Sequence, residues 1–207
     1  MDRRMMEHNH TTMKEIIRRR IRDSISAKQE MLQQEEAIDT LETCAQLLTA
    51  AFRNGNRVFF CGNGGSAADA QHLAAEFSGR FYLNRPALPA EALHCNSSYL
   101  TAVANDYGYD HVYARIIEGT GRAGDVLIGL STSGNSPNIC LALKAANEKK
   151  MITIGFTGAS GGNMKPLCQF LLQAPTSDTP RIQECHMLAG HILCELTEKL
   201  FFETSEQ

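Results

Sequence analysis

The chain has 207 residues, 43% hydrophobic and 21% charged, with a formal net charge of −3. That length suits one α/β domain with a sizeable core, and the charge balance argues against a nucleic-acid partner, which would leave a basic stripe. No apolar run approaches the ~20 residues of a membrane span, and the N-terminus lacks a signal-peptide core, so a cytoplasmic protein without a membrane partner is expected.

Residues 1–12 are polar and expected to form a disordered tail, with His8 and His10 among several methionines. Residues 13–53 read as an N-terminal helical arm. Ile17, Ile21 and Ile25 recur every four positions, and Ile38, Leu41, Leu48 and Phe52 continue apolar faces. The more polar stretch from Lys28 to Glu36 can hold a break. Arg18, Arg19 and Arg20 read as a solvated helix face rather than a binding patch. Such an arm packs either on its own domain or on a neighbouring subunit.

From residue 54 to 203 strands and helices alternate in a single domain. Arg57–Cys61 reads as a buried strand, Ser66–Arg80 as a helix, Ala90–His94 as a strand and Ser97–Ala104 as a helix. Asp125–Leu130 is a strong strand, and Ser136–Lys149 a helix with Pro137 suited to its first turn. Met151–Phe156 and Gln169–Gln173 are strands, and Pro180–Phe202 is a long helix. This order predicts βαβ units, an α/β fold and a mainly parallel sheet. Ligands of such sheets bind beyond the carboxyl ends of the strands, where both glycine-containing loops fall. The seven cysteines form no CxxC pair and lie mostly in apolar segments, as reduced packing residues do.

Three segments carry candidate chemistry. The loop Ser131-Thr132-Ser133-Gly134-Asn135-Ser136-Pro137 gathers hydroxyls and backbone N–H groups at a helix N-terminus, which suits a phosphate. The bland alternative is that Ser136 is an N-cap and the rest are turns. With no lysine in the loop, a nucleotide P-loop is disfavoured and a small phosphorylated metabolite is preferred. Gly62, Gly64 and Gly65 allow close backbone approach, and Asn63 and Ser66 offer hydrogen bonds. Their GxGG spacing is not a dinucleotide fingerprint. His72 and Glu76 share a helix face at i, i+4, as a surface pair or a proton-transfer or metal pair. In the last helix Glu184 and His191 are nearly aligned, whereas Gln183 stands about 80° round from His191 and remains compatible with a shared cavity. Periodicity does not choose between Gln183 and Glu184.

The segments CGNGGSAADAQHLAAEFSGR, ANDYG, GDVLIGLSTSGNSPN and RIQECHMLAGHI, in this order and spacing, closely resemble the phosphoheptose isomerases, which are sugar isomerase (SIS) domain enzymes. The resemblance spans about Ala50 to Phe202. It implies a three-layer sandwich with a five-stranded parallel sheet, assembled as a homotetramer with active sites between subunits. It implies isomerisation of D-sedoheptulose 7-phosphate to D-glycero-D-manno-heptose 7-phosphate, the first step toward ADP- or GDP-activated heptose of the kind used in lipopolysaccharide. Ser131, Thr132, Ser133 and Ser136 match the family's phosphate site. Asn63, Gly64, Gly65, Asn105 and Asp106 match its sugar contacts. His72, Glu76, Gln183 and His191 match its zinc site, one ion per subunit, so the family favours Gln183 over Glu184; Glu76 and Gln183 also count among the substrate contacts.

Ketose–aldose isomerisation through an enediol needs a base, a second proton relay and stabilised negative charge. Glu76 is the candidate base, His191 the partner for the second proton transfer, and zinc a Lewis acid. Asp69, one turn before His72, is a candidate acceptor to orient that ring. The sequence departs from the commoner pattern in the first half of LHCNSSYLTAVAND and at Pro180, where some members carry an acidic residue. A rival reading is a non-catalytic SIS tetramer that binds the replication initiator DnaA. Glu76 and His191, both present here, weigh against it. A third, a phosphosugar-sensing regulator, would need a DNA-binding domain that the N-terminal ~50 residues are too short and insufficiently basic to supply.

Overall fold

The computed structural model describes residues 12–202, so the expected tail falls outside the described residues except for Thr12. Thr12 starts helix α1 (Met13–Leu32) with a capping box, its hydroxyl accepting from the Glu15 N–H while the Glu15 carboxylate reaches back to the Thr12 backbone. A break at Gln33–Gln34, inside the polar stretch, separates α1 from α2 (Glu35–Arg53). Helix α2 buries Leu41, Cys44, Ala45, Leu48 and Phe52 in a cluster continuous with the sheet. Helix α1 buries only Ala27 and Met31 and leaves Ile17, Ile21 and Ile25 at least half exposed.

Five parallel strands follow: β1 (Val58–Cys61), β2 (Ala90–Ala92), β3 (Val126–Ser131), β4 (Ile152–Thr157) and β5 (Phe170–Gln173). Their order is β2-β1-β3-β4-β5, with β3 central. Alternation along each strand feeds two cores. Val58, Phe60, Val126, Ile128, Leu130, Ile154 and Phe156 face α2, α3 (Gly65–Ser78) and α7 (Thr179–Phe202). Phe59, Cys61 and Leu127 face α4 (Ser97–Tyr107), α5 (Val112–Thr120) and α6 (Pro137–Glu148). This is the expected three-layer sandwich. Both sheet faces are covered, which is why the strands read as unbroken apolar runs.

Three differences from the sequence expectation have local causes. Strand β2 stops at Ala92 rather than His94, because the Asn96 side chain accepts from the Tyr99 N–H and starts α4 at once. Helix α4 runs on to Tyr107, so Asn105 and Asp106 lie inside it, until Gly108, at φ 89°, ends it. Helix α5 has no counterpart in the sequence reading. It has only nine residues, with Gly119 inside it and Gly121 at its end, yet Val112, Tyr113 and Ile117 are fully buried.

Candidate active site

Helices α3 and α7 lie side by side and run in the same direction. Three contacts establish this. The Gln183 amide packs against Gly65 at the start of α3, Leu73 packs against Gly190, and the rings of His72 and His191 lie 5.2 Å apart. Gly190 permits the approach: a Cβ there would sit 2.6 Å from Leu73 Cδ1, inside van der Waals contact.

The consequence is a cluster. His72 Nε2 lies 3.1 Å from His191 Nε2 and 3.2 Å from Glu76 Oε1. One donor atom from each of His72, Glu76 and His191 falls within 4.8 Å of the others. Two ligands bound to zinc at ~2.0–2.1 Å with tetrahedral angles stand about 3.3 Å apart, so the observed spacing fits such an ion. The donor set, two imidazoles and one carboxylate, is that of catalytic zinc sites that leave a position open. Glu76 is half-buried, the Phe81 ring stacks on the His191 ring at 5.6 Å and 26°, and the His72 ring is tilted at 51° to it.

The structure separates the two helix positions that periodicity left open. Glu184 turns to the arm, accepting from Ser24 Oγ at 2.5 Å, with Lys28 Nζ at 3.5 Å and Arg181 alongside. Gln183 faces the glycine turn, eight residues before His191, or ~12 Å along the helix axis. Asp69 makes no hydrogen bond to His72. Its Oδ2 is buried without a partner, and burial raises its carboxyl above the ordinary range, against the pull of nearby His72.

The glycine turn follows β1. Gly64 adopts φ 54°, ψ −120°, a region open to glycine. Asn63 exchanges two hydrogen bonds with Asn138, at 2.9 and 2.8 Å, and accepts from Tyr109 Oη at 3.3 Å. Buried Tyr113 donates to the Gly62 carbonyl at 2.6 Å. Sequence reasoning passed over Asn138, Tyr109 and Tyr113. A buried asparagine in the first turn of α6, just after Pro137, was the available signal.

At the end of β3, Ser131 Oγ stands 2.9 Å from Ser136 Oγ and 3.5 Å from Ser133 Oγ. Ser136 occupies the N-cap of α6 but makes no side-chain cap bond. Its hydroxyl instead joins a cluster at the helix mouth, an arrangement suited to an anion. Thr132 is half-buried beside it, its carbonyl accepting from the Gly158 N–H. Asn105 and Asp106 are exposed and bond to one another at 3.0 Å, and no hydrogen bond joins them to the clusters above. The cysteines are free, and burial pushes the thiols of Cys44 and Cys168 up to about 12. No helix among the described residues is long and apolar enough to cross a membrane.

The family profile of the SIS domain matches residues 22–158. The phosphoheptose isomerase of Aneurinibacillus thermoaerophilus is 47% identical over 190 residues, covering 92% of this chain and 96% of that one. That of Nitratidesulfovibrio vulgaris is 52% identical over 170 residues, covering 82% and 81%. Among solved structures, the phosphoheptose isomerase of Neisseria gonorrhoeae superposes with a TM-score of 0.85 at 42% identity, covering 91% of this chain and all of that one. That of Francisella tularensis gives 0.87 at 32% identity, with the same coverage.

Proposed function

Because the chain belongs to the phosphoheptose isomerases of the SIS domain family, we propose that it interconverts D-sedoheptulose 7-phosphate and D-glycero-D-manno-heptose 7-phosphate. The observation that carries this reading is the convergence of His72, Glu76 and His191 on one side of α3 and α7. The glycine turn and the Ser131–Ser136 loop lie at the carboxyl edge of the same sheet.

In this mechanism the phosphate rests on the hydroxyls of Ser131, Thr132, Ser133 and Ser136 and on the N-terminus of α6. The free N–H groups and dipole there favour its charge. Asn63, Gly64 and Gly65 hold the sugar chain, with Asn63 fixed by Asn138, and Asn105 and Asp106 contribute further sugar contacts. Glu76 removes a proton from C1 of the ketose, leaving the enediol, and returns it to C2. His191 carries the second proton between the oxygens on C1 and C2. His72, Glu76 and His191 would hold zinc, and the family match adds Gln183, whose amide lies against Gly65 at the glycine turn. Zinc held there would supply Lewis-acid polarisation of the sugar oxygens.

We further infer a cytoplasmic homotetramer whose product enters activated-heptose synthesis, including that for lipopolysaccharide. The exposed isoleucine face of α1 supports self-association, since an apolar stripe of this kind is otherwise left in water. The DnaA-binding alternative is not favoured: it requires no proton-transfer cluster, and here Glu76 and His191 are brought together.

The test is incubation with sedoheptulose 7-phosphate in D₂O, with and without zinc after chelation. Heptose 7-phosphate carrying deuterium at C2 is expected. Absence of product under both conditions would sink the proposal.

A further inference from the structure

The loop between α3 and β2 is held by a buried ion pair that lies outside the chemistry described above. Glu198 on α7 and Arg85 are 1% and 2% exposed in their side chains, with Glu198 Oε1 2.6 Å from Arg85 Nε. Oε1 also accepts from the Phe81 N–H at 2.9 Å, and Oε2 from the N–H groups of Tyr82 at 2.9 Å and Leu83 at 3.0 Å. Burial would raise this carboxyl, but the three N–H donors and the guanidinium outweigh it and hold it below the usual range. The rest of Arg85 binds backbone: Nη2 donates to the Glu76 carbonyl at 2.8 Å, and Nη1 to the carbonyls of Phe77 at 2.8 Å, Pro86 at 3.0 Å and Gly79 at 3.3 Å.

Two of these bonds reach the reacting cluster in one step. Phe81, whose backbone N–H is held by Glu198, stacks its ring on the His191 imidazole. Glu76, whose carbonyl is held by Arg85, belongs to the cluster itself. Glu198 follows His191 by seven residues on the same helix, two turns along the same face. The pair therefore spans the gap between the helix that supplies His72 and Glu76 and the helix that supplies His191.

Stability alone is a weak reason for such a pair. A buried ion pair is often matched or bettered by well-packed apolar residues, because desolvating two charges offsets their attraction. What apolar residues cannot supply is a directional hold on four donors at once. We propose that Glu198 and Arg85 are positioning residues for the His72–Glu76–His191 cluster, acting through the Phe81 ring and the last turn of α3. This rests on the functional reading of that cluster.

The test compares wild type with Glu198→Gln and Phe81→Leu. The first weakens the hold on the loop; the second keeps the ion pair and removes the ring from His191. The readouts are zinc affinity, by competition with a chromophoric chelator, and kcat and KM for sedoheptulose 7-phosphate. Outer partners of metal-binding residues typically affect affinity or activity by ~10–100-fold, and that loss is expected for both variants. It should appear in zinc affinity and kcat, with KM little changed. Phe81→Leu should show it with a thermal midpoint near that of wild type, and Glu198→Asp should recover part of what Glu198→Gln loses. If Glu198→Gln fails to fold, Glu198→Asp, which keeps the charge but shortens the reach to Phe81, Tyr82 and Leu83, decides in its place alongside Phe81→Leu. Variants that keep wild-type zinc affinity and kcat would overturn the positioning role, whatever their thermal midpoints. A wild-type protein that neither binds zinc nor isomerises the sugar would instead overturn the functional reading, and the positioning role with it.

Discussion

Gly190→Ala tests the close approach on which the cluster depends. The new methyl would stand 2.6 Å from Leu73 Cδ1 and 3.0 Å from Leu73 Cγ, and Leu73 is fully buried. Carbon atoms in contact rest at ~3.5–4.0 Å, so relief requires about 1 Å of movement by Leu73 or by the helices. Two energies oppose one another. Replacing glycine by alanine inside a helix gains ~1 kcal/mol, whereas overpacking a core costs ~1–3 kcal/mol. Overpacking wins, for a net loss of about 1 kcal/mol and a thermal midpoint lower by ~2–4 °C. Activity should suffer more. His72 adjoins Leu73 and His191 adjoins Gly190, and a misplacement of 1 Å can cost ~100-fold in rate. The assay is kcat for sedoheptulose 7-phosphate beside a thermal melt. Adding Leu73→Ala to Gly190→Ala should restore part of kcat while lowering the midpoint further, because it clears the collision but empties a core position. A Gly190→Ala protein that melts higher than wild type and keeps its kcat would refute the reasoning.

Two further outcomes are expected. Glu76→Gln and His191→Ala should each reduce kcat by ~10²–10⁴-fold, the usual worth of a positioned acid or base, with near-native circular dichroism; wild-type turnover in both would remove them from the mechanism. His186 is fully buried against the Thr157 carbonyl, and burial lowers its pKa from 6.5 to about 4. Between those values the unfolded chain takes up a proton that the folded chain refuses, so stability falls as pH drops from 6.5 toward 4. The loss approaches about 3 kcal/mol at ~1.4 kcal/mol per pH unit, and His186→Gln should flatten that part of a denaturant-derived stability profile.

The sheet was legible because both of its faces are covered. Strands β1, β3 and β4 had to be apolar along their whole length, and their limits were off by one residue. Helix α5 was not legible, since nine residues with a glycine near their end give too short a period, and what fixes Tyr113 is a bond to the distant Gly62 carbonyl. In the site, the His72–Glu76 pair is local and could be read from i, i+4 spacing. The choice between Gln183 and Glu184 could not. Glu184 has the better angular match to His191, yet it is claimed by Ser24 and Lys28 of α1, about 160 positions away. Asp69 shows the opposite failure: correct spacing from His72, and no bond. The Arg85–Glu198 pair joins residues 113 positions apart that look, in sequence, like ordinary charged surface.

The site owes its assembly to one long-range feature. Along α3 and α7 the contacts Gly65–Gln183, His72–His191 and Leu73–Gly190, then Phe81–Glu198 beyond the end of α3, keep a separation of 117 to 119 residues. The two helices thus hold a single register from end to end. A slip of one residue would turn one helix by ~100° against the other, carrying His191 away from His72 and Glu76 together. No local motif encodes that register. It is set where the helices can approach, at Gly190, and where their ends are tied, at Gln183 and at Glu198. A chain could therefore keep every residue of the reacting cluster and still lose the reaction through Gly190 or Glu198. Substitutions at those two positions separate the register from the chemistry it serves.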